Sequence, residues 1–141
     1  MEVDRGGKIY TIHKEDLLYP ETSYLVNGVL IDVYKKLGGG HLEKVYHKAV
    51  EIGLNDSILK YKSQHYVPLT YKNKNVGKYF LDFYIEGPDG VLVLELKRGK
   101  FVTADLIEQT KKYLIALNLQ LAVVGCFTFD SVVIKRVINE Y

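Results

Sequence analysis

Three charged residues stand where a nearly unbroken apolar run makes charge costly: Asp82, Glu95 and Lys97. Residues 79–85, YFLDFYI, hold Asp82 among aromatic and aliphatic side chains, and residues 91–97, VLVLELK, end on Glu95-Leu96-Lys97. Between them Gly87-Pro88-Asp89-Gly90 is a dense turn signal. Short apolar runs bounded by turn residues read as two strands of a hairpin, the second buried on both faces. On such a strand Glu95 and Lys97 leave one face, and Leu92, Leu94 and Leu96 the other. A short hairpin would lay Asp82 beside Glu95. Charges in that setting are expensive unless something pairs with them. Two carboxylates and one ammonium at one spot suit a hard divalent cation and a reacting phosphate. The ordinary structural alternative is an ion pair at a strand end.

The rest of the chain must position that hairpin. With 141 residues, 48% hydrophobic and 26% charged, there is material for one domain with a real core and not for two. Net charge is only +2, so any basic surface for nucleic acid must be local. The single cysteine, Cys126, sits in an apolar run and reads as a small buried hydrophobe in a reducing compartment. The N-terminal stretch has no apolar signal core, and no run reaches membrane-spanning length. A cytoplasmic protein without membrane contact is expected.

Residues 1–20 are expected to be an arm, loose or forming an edge strand at Lys8–His13, and residues 21–141 the folded domain. Pro20 precedes a helical pattern over residues 21–37, with Tyr24, Leu25, Val33 and Tyr34 among its apolar positions. Gly38-Gly39-Gly40 ends it. A second helix spans residues 41–54, with Leu42, Val45, Tyr46, Ala49 and Val50 on one face. Glu43 lies in its first turn, where a carboxylate also favours the helix dipole. Strands are expected over residues 60–71 and 76–85, linked by Lys72-Asn73-Lys74-Asn75. Lys72, Lys74 and Lys78 near that tip, Arg98 and Lys100 after the second site strand, and Lys112 are the candidate phosphate contacts. Gln64 reads as structural. Thr103 caps a third helix whose stripe includes Leu106, Thr110, Tyr113 and Leu114, with Gln109 on its border, and Asn118 closes it. Strands over residues 119–127 and 131–138 follow. The crossover through the third helix makes strands 91–97 and 119–127 parallel neighbours. An α/β domain results, in the order ααβββαββ, with a mixed central sheet flanked by helices.

Oxygen donors alone, Glu43, Asp82 and Glu95, favour magnesium or manganese. His13, His41, His47 and His65 lack paired ligand spacing, and one cysteine makes no zinc site. There is no Gly-rich phosphate loop with lysine and no Gly-x-Ser-x-Gly elbow.

An aspartate on one strand followed by Glu-x-Lys on the next resembles the PD-(D/E)XK nuclease superfamily, a restriction-endonuclease-like fold. Gly40-His-Leu-Glu43-Lys-Val-Tyr46 is similar to the signature of the GxxExxY family within it. The likeness continues through Tyr66-Val-Pro-Leu-Thr-Tyr71, Val76-Gly77, Asp82, Glu95-Leu-Lys97, Gln109, Tyr113-Leu114 and Ile134-Lys-Arg136-Val137. The chain departs from it at Tyr34 and at Gly38-Gly39-Gly40, where typical members carry a histidine and a Gly-Pro-Gly turn. The resemblance implies a metal-dependent nuclease acting on nucleic acid, with DNA the expected substrate. It implies Glu43, Asp82 and Glu95 as metal ligands, Lys97 as the group that positions water or offsets charge, and Gln109 and Tyr113 beside the carboxylates. Small relatives include Holliday-junction resolvases that act as symmetric homodimers, so structure-specific cleavage and dimerisation are expected here. A binding or interaction module on the same fold, weak or inactive in cleavage, is the alternative.

Overall fold

The computed structural model describes residues 18–139, together with the backbone of residues 2–3 and 9–10. Most of the expected arm therefore lies outside the described residues. Within it β1 (Glu2–Val3) and β2 (Ile9–Tyr10) pair antiparallel with each other and not with the main sheet.

Two helices come first, α1 (Pro20–Leu37) and α2 (Glu43–Asn55). Pro20 opens α1 at a position where its missing N–H costs nothing. Three strands follow as an antiparallel meander: β3 (Lys60–Tyr71), β4 (Lys74–Glu86) and β5 (Val91–Arg98). Helix α3 (Ala104–Leu117) carries the chain back to β6 (Leu121–Phe127), which lies parallel to β5, and β7 (Val132–Ile138) closes the sheet antiparallel to β6. The expected element order and the mixed sheet, β3-β4-β5-β6-β7, are both present. Thr103 Oγ1 accepts from the Leu106 N–H, and Asn118 ends α3 in the left-handed conformation, as their residue types suggest.

One face of the sheet is covered by α1 and α2. Leu92, Leu94 and Leu96 pack there with Val26, Leu30, Tyr46 and Val50. The other face is covered by α3, where Val93, Ala122 and Val124 meet Tyr113 and Leu114. Each fully buried aliphatic side chain stabilises the fold by roughly 1.5–3 kcal/mol.

Several details differ from expectation. Tyr24 is 78% exposed, and Leu42 also points outward; the unexpected Val26 joins the expected Leu30 and Tyr46 in the core. Helix α2 begins at Glu43, leaving Leu42 as its extended N-cap residue. The β3–β4 link shrinks to Lys72-Asn73, both at positive φ (50° and 63°), with Tyr71 opposite Lys74. Such a two-residue turn matches the twist of the flanking strands.

The β3–β4 hairpin also turns over midway. Ser63 pairs with Phe83 and His65 with Leu81, but Gln64 and Asp82 between them are unpaired, and Gln64 has φ 51°. Phe83 faces the α1–α2 core, whereas Leu81 faces α3. Side chains therefore swap sides at Asp82.

Candidate active site

The β4–β5 ladder runs from Glu86 opposite Val91 to Phe83 opposite Leu94 and then stops. From there β5 has β6 on one side and an unpaired edge on the other. Unpaired backbone N–H groups need acceptors. Three carboxylates supply hydrogen bonds across this fork. The Leu96 N–H donates to Asp82 Oδ2 at 2.8 Å, and the Arg98 N–H donates to Glu43 Oε2 at 3.3 Å. In the reverse direction the Asp82 N–H donates to Glu95 Oε1 at 2.9 Å. Side-chain oxygens thus stand in for the backbone carbonyls of a ladder, and the two strands separate around them.

The electrostatics are adverse to charge. Glu95 is only 8% exposed. Burial, then the Asp82 charge, push its carboxyl up to about 8, with Glu43 adding to this and Lys97 opposing it. Asp82 is also raised, chiefly by burial, although the Leu96 N–H, His47 and Lys97 favour its ionised form. On the α3 face Tyr113 is pushed up to about 12 by burial and then by the Glu95 charge. Its ring meets Tyr79 edge-on at 4.7 Å between centroids. Lys97 is exposed at the end of β5.

A pocket of about 310 Å³ opens beside Asp82, lined by Glu43, Lys44, His47, Lys48 and Gln64. Of these only Glu43 is a site candidate from sequence; His47 and Gln64 are the additions nearest Asp82. His47 stacks on Phe83 with centroids 4.4 Å apart, places Nε2 2.9 Å from Ser63 Oγ and faces Asp82 Oδ1 with Nδ1 at 3.6 Å. Its signal was available, since it follows Glu43 by four positions and shares its helix face. Gln64, taken as structural, reaches the pocket through its left-handed backbone, which no residue type there announces.

The structure brings Glu43, Asp82 and Glu95 to one strand edge, with Lys97 on it and Tyr113 behind it. Gln109 is exposed on α3. Arg98 and Lys100 line a second depression with Gly40, Phe127 and Phe129. Lys72, Lys74 and Lys78 lie along the β3–β4 hairpin, and Lys112 is exposed on α3. Among the described residues no three histidine, cysteine, aspartate or glutamate side chains close around one point. The donor set nevertheless fits a divalent cation: Asp82 and Glu95 are hard oxygen donors whose mutual repulsion and desolvation a cation would relieve.

Residues 20–138 match the family model described as PD-(D/E)XK nuclease superfamily. No curated protein matches the chain. A solved structure titled "Crystal structure of SSO0001" is similar with a TM-score of 0.58 at 15% identity, over 70% of this chain and 51% of that one. That likeness concerns the fold, and the present chain spans about half the length of the chain it matches. Among the described residues no helix is long and apolar enough to cross a membrane.

Proposed function

Since the chain belongs to the PD-(D/E)XK nuclease superfamily, we propose that it hydrolyses phosphodiester bonds in nucleic acid with a magnesium or manganese ion held by Asp82 and Glu95. DNA is the proposed nucleic acid, and the GxxExxY family the proposed branch, on the Gly40–Tyr46 signature. The observation that carries the reading is the fork between β4 and β5. Two desolvated carboxylates are crosslinked there to both backbones; burial raises both, and the repulsion of the Asp82 charge raises Glu95 further. A fold that needed only stability would not keep that repulsion, whereas a cation site requires it.

When bound, the ion supplies a coordinated water of lowered pKa and a positive charge for the phosphate oxygens. The remaining chemistry falls to side chains. Lys97 Nζ sits at the strand end beside Glu95 and offsets charge that builds on the phosphate. Glu43, held on the Arg98 N–H, accepts from water on the helix side of the fork. Tyr113 keeps its proton on Oη, because its pKa is raised to about 12, so it acts as a donor and not as a base. Gln109, four residues before Tyr113 on α3, orients the phosphate. Arg98, Lys100 and Lys112, with Lys72, Lys74 and Lys78, hold flanking phosphates. A domain this small gains footprint by pairing as a symmetric homodimer, which suits a branched, Holliday-junction-like DNA.

The test is a panel of end-labelled branched, duplex and single-stranded DNA and of RNA, incubated with magnesium, with manganese or with chelator. Wild type should cleave DNA only with metal, and Glu95→Gln should cleave roughly 10²-fold more slowly or worse. Absence of cleavage on every substrate with either metal would overturn the nuclease reading and leave a binding module. Cleavage of RNA alone would overturn the assignment to DNA.

A further inference from the structure

Beyond Asp82 the β3–β4 hairpin continues to its turn with only one face covered. Val67 and Leu81 are buried against α3, and Tyr79 packs with them. On the other face, Tyr66 and Phe80 are direct cross-strand partners, and neither belongs to either buried cluster. Tyr66 is 43% and Phe80 50% exposed. Their rings meet edge-on at 5.7 Å, so they brace each other without help from a helix. Lys78 Nζ lies 5.6 Å from the Phe80 ring centre, and Asn75 Nδ2 donates to the Tyr66 hydroxyl at 3.3 Å. Nearer the turn, Lys72 Nζ lies 5.4 Å from the exposed ring of Tyr71.

Two further observations say what covers this face. Residues 65–81 include Lys72, Lys74 and Lys78 and no aspartate or glutamate. The partner is therefore anionic, and a second copy would bring like charges together. The row of side chains also begins at Gln64, in the wall of the pocket that holds Asp82. Tyr66 is two residues further along the strand, about 7 Å away. An anionic ligand in that pocket would extend directly over the two rings.

We propose that Tyr66 and Phe80, with Lys78, form a stacking platform for unpaired bases of a nucleic-acid strand whose phosphate occupies the Asp82–Glu95 fork. The proposal rests on the nuclease reading and narrows its substrate class to nucleic acid with a single-stranded stretch beside the cut. Every base has a π face, so aromatic rings interleaved with lysines bind single strands with little regard to sequence. In a blunt duplex the bases are already stacked on each other and have no face to offer.

Binding is measured first in chelator, by fluorescence anisotropy of labelled oligothymidylate, a blunt duplex, and the same duplex with a single-stranded flank. Phe80→Leu and Tyr66→Leu keep apolar bulk but remove the ring face. Each should weaken binding of the single strand and of the flanked duplex by roughly 5-fold or more, the scale of one lost base stack. Blunt-duplex binding should not change, and the variants should sediment as wild type does. Equal affinity of wild type and variants for the single strand would overturn the platform, as would an equal loss for all three ligands. A self-association that Phe80→Leu abolishes would overturn it in favour of a contact between copies. Lys78→Gln leaves both rings in place and serves if the ring variants unfold. It should lower the salt slope of single-strand binding by about one contact, and an unchanged slope would overturn the lysine's part in the platform. Cleavage with manganese then separates the two readings. Ring-dependent binding without any cleavage refutes the nuclease and leaves the platform. Cleavage of blunt and flanked duplex at rates the ring variants do not alter refutes the platform and leaves the nuclease.

Discussion

Asp82 and Asp89 belong to the same β4–β5 hairpin and live under opposite physics. Asp89 sits in the turn against the start of α1. It accepts from the Glu21 and Thr22 N–H groups at 2.9 and 3.0 Å and from the Thr22 hydroxyl. Burial alone would raise its pKa, but those donors outweigh it and hold the carboxyl below its usual range. The turn comes this close because Gly87 and Gly90 have no side chain to strike Thr22 and Tyr19. Tyr19, at the N-cap of α1, supplies no side-chain bond, so Asp89 caps the helix from across the fold. Asp82 accepts one backbone N–H, is desolvated, and faces Glu95 and Glu43. A structural carboxylate gathers donors. A carboxylate kept among other carboxylates stores an unfavourable interaction that a cation can release.

Neutralising the two fork carboxylates one at a time has the largest expected effect. Glu95→Gln and Asp82→Asn should each reduce metal-dependent cleavage by roughly 10²-fold or more, the scale of losing a principal electrostatic group. The metal-free variants should melt at the same temperature as wild type or higher, because repulsion has been removed. If both lower the melting temperature as a capping carboxylate would, the fork is structural and the contrast with Asp89 disappears.

Lys97 sharpens the same contrast from the positive side. Lys97→Ala should lower cleavage by about 10²-fold while leaving manganese binding, followed by paramagnetic titration, nearly intact. Cleavage like wild type would overturn the role given to Lys97.

The two carboxyl environments also predict opposite responses to pH. The folded form holds the Glu95 proton up to about 8, whereas the unfolded chain releases it near 4.5. Between those values the folded state binds more protons, so metal-free stability should fall as pH rises from about 4.5 to about 8 and level off above. Glu95→Gln should flatten that decline. A urea midpoint that rises with pH over this window in metal-free wild type would contradict the raised pKa.

Much of this was legible in the residues. Strand β5 could be read from an apolar run closed by turn residues, and Glu95 and Lys97 from their shared face. Glu43 was legible only as a first-turn helix carboxylate; that it reaches the Arg98 N–H depends on how α2 packs on the sheet. The twist at Gln64 and Asp82 was not legible, since a left-handed glutamine in a strand has no compositional sign. Tyr24 and Leu42 misled because α1 and α2 carry apolar residues on both sides, and periodicity does not say which side the sheet takes. The role of Asp89 was hidden for a different reason. It read as a turn residue, which it is, and its partners lie in α1, far away in sequence.

The smallest expected effect belongs to that residue and isolates its side of the comparison. Asp89→Ala removes the acceptor for two backbone N–H groups at the start of α1. The loss should be about 1 kcal/mol, the usual scale for an N-cap side chain, read as a lower urea midpoint at pH 7. Asp89→Asn keeps an acceptor oxygen and loses only the charge at the helix N-terminus, so it should cost a few tenths of a kcal/mol. The sign with pH is the reverse of that for Glu95. Because the folded pKa is depressed, the charge contributes stability above the unfolded value near 4 and loses it as pH falls through the folded value. The gap between wild type and Asp89→Asn should therefore narrow in acid, while metal-dependent cleavage stays at the wild-type rate throughout. If Asp89→Asn instead removed cleavage, the turn and the fork would be one coupled site, and the division between a stabilising and a working carboxylate would not hold.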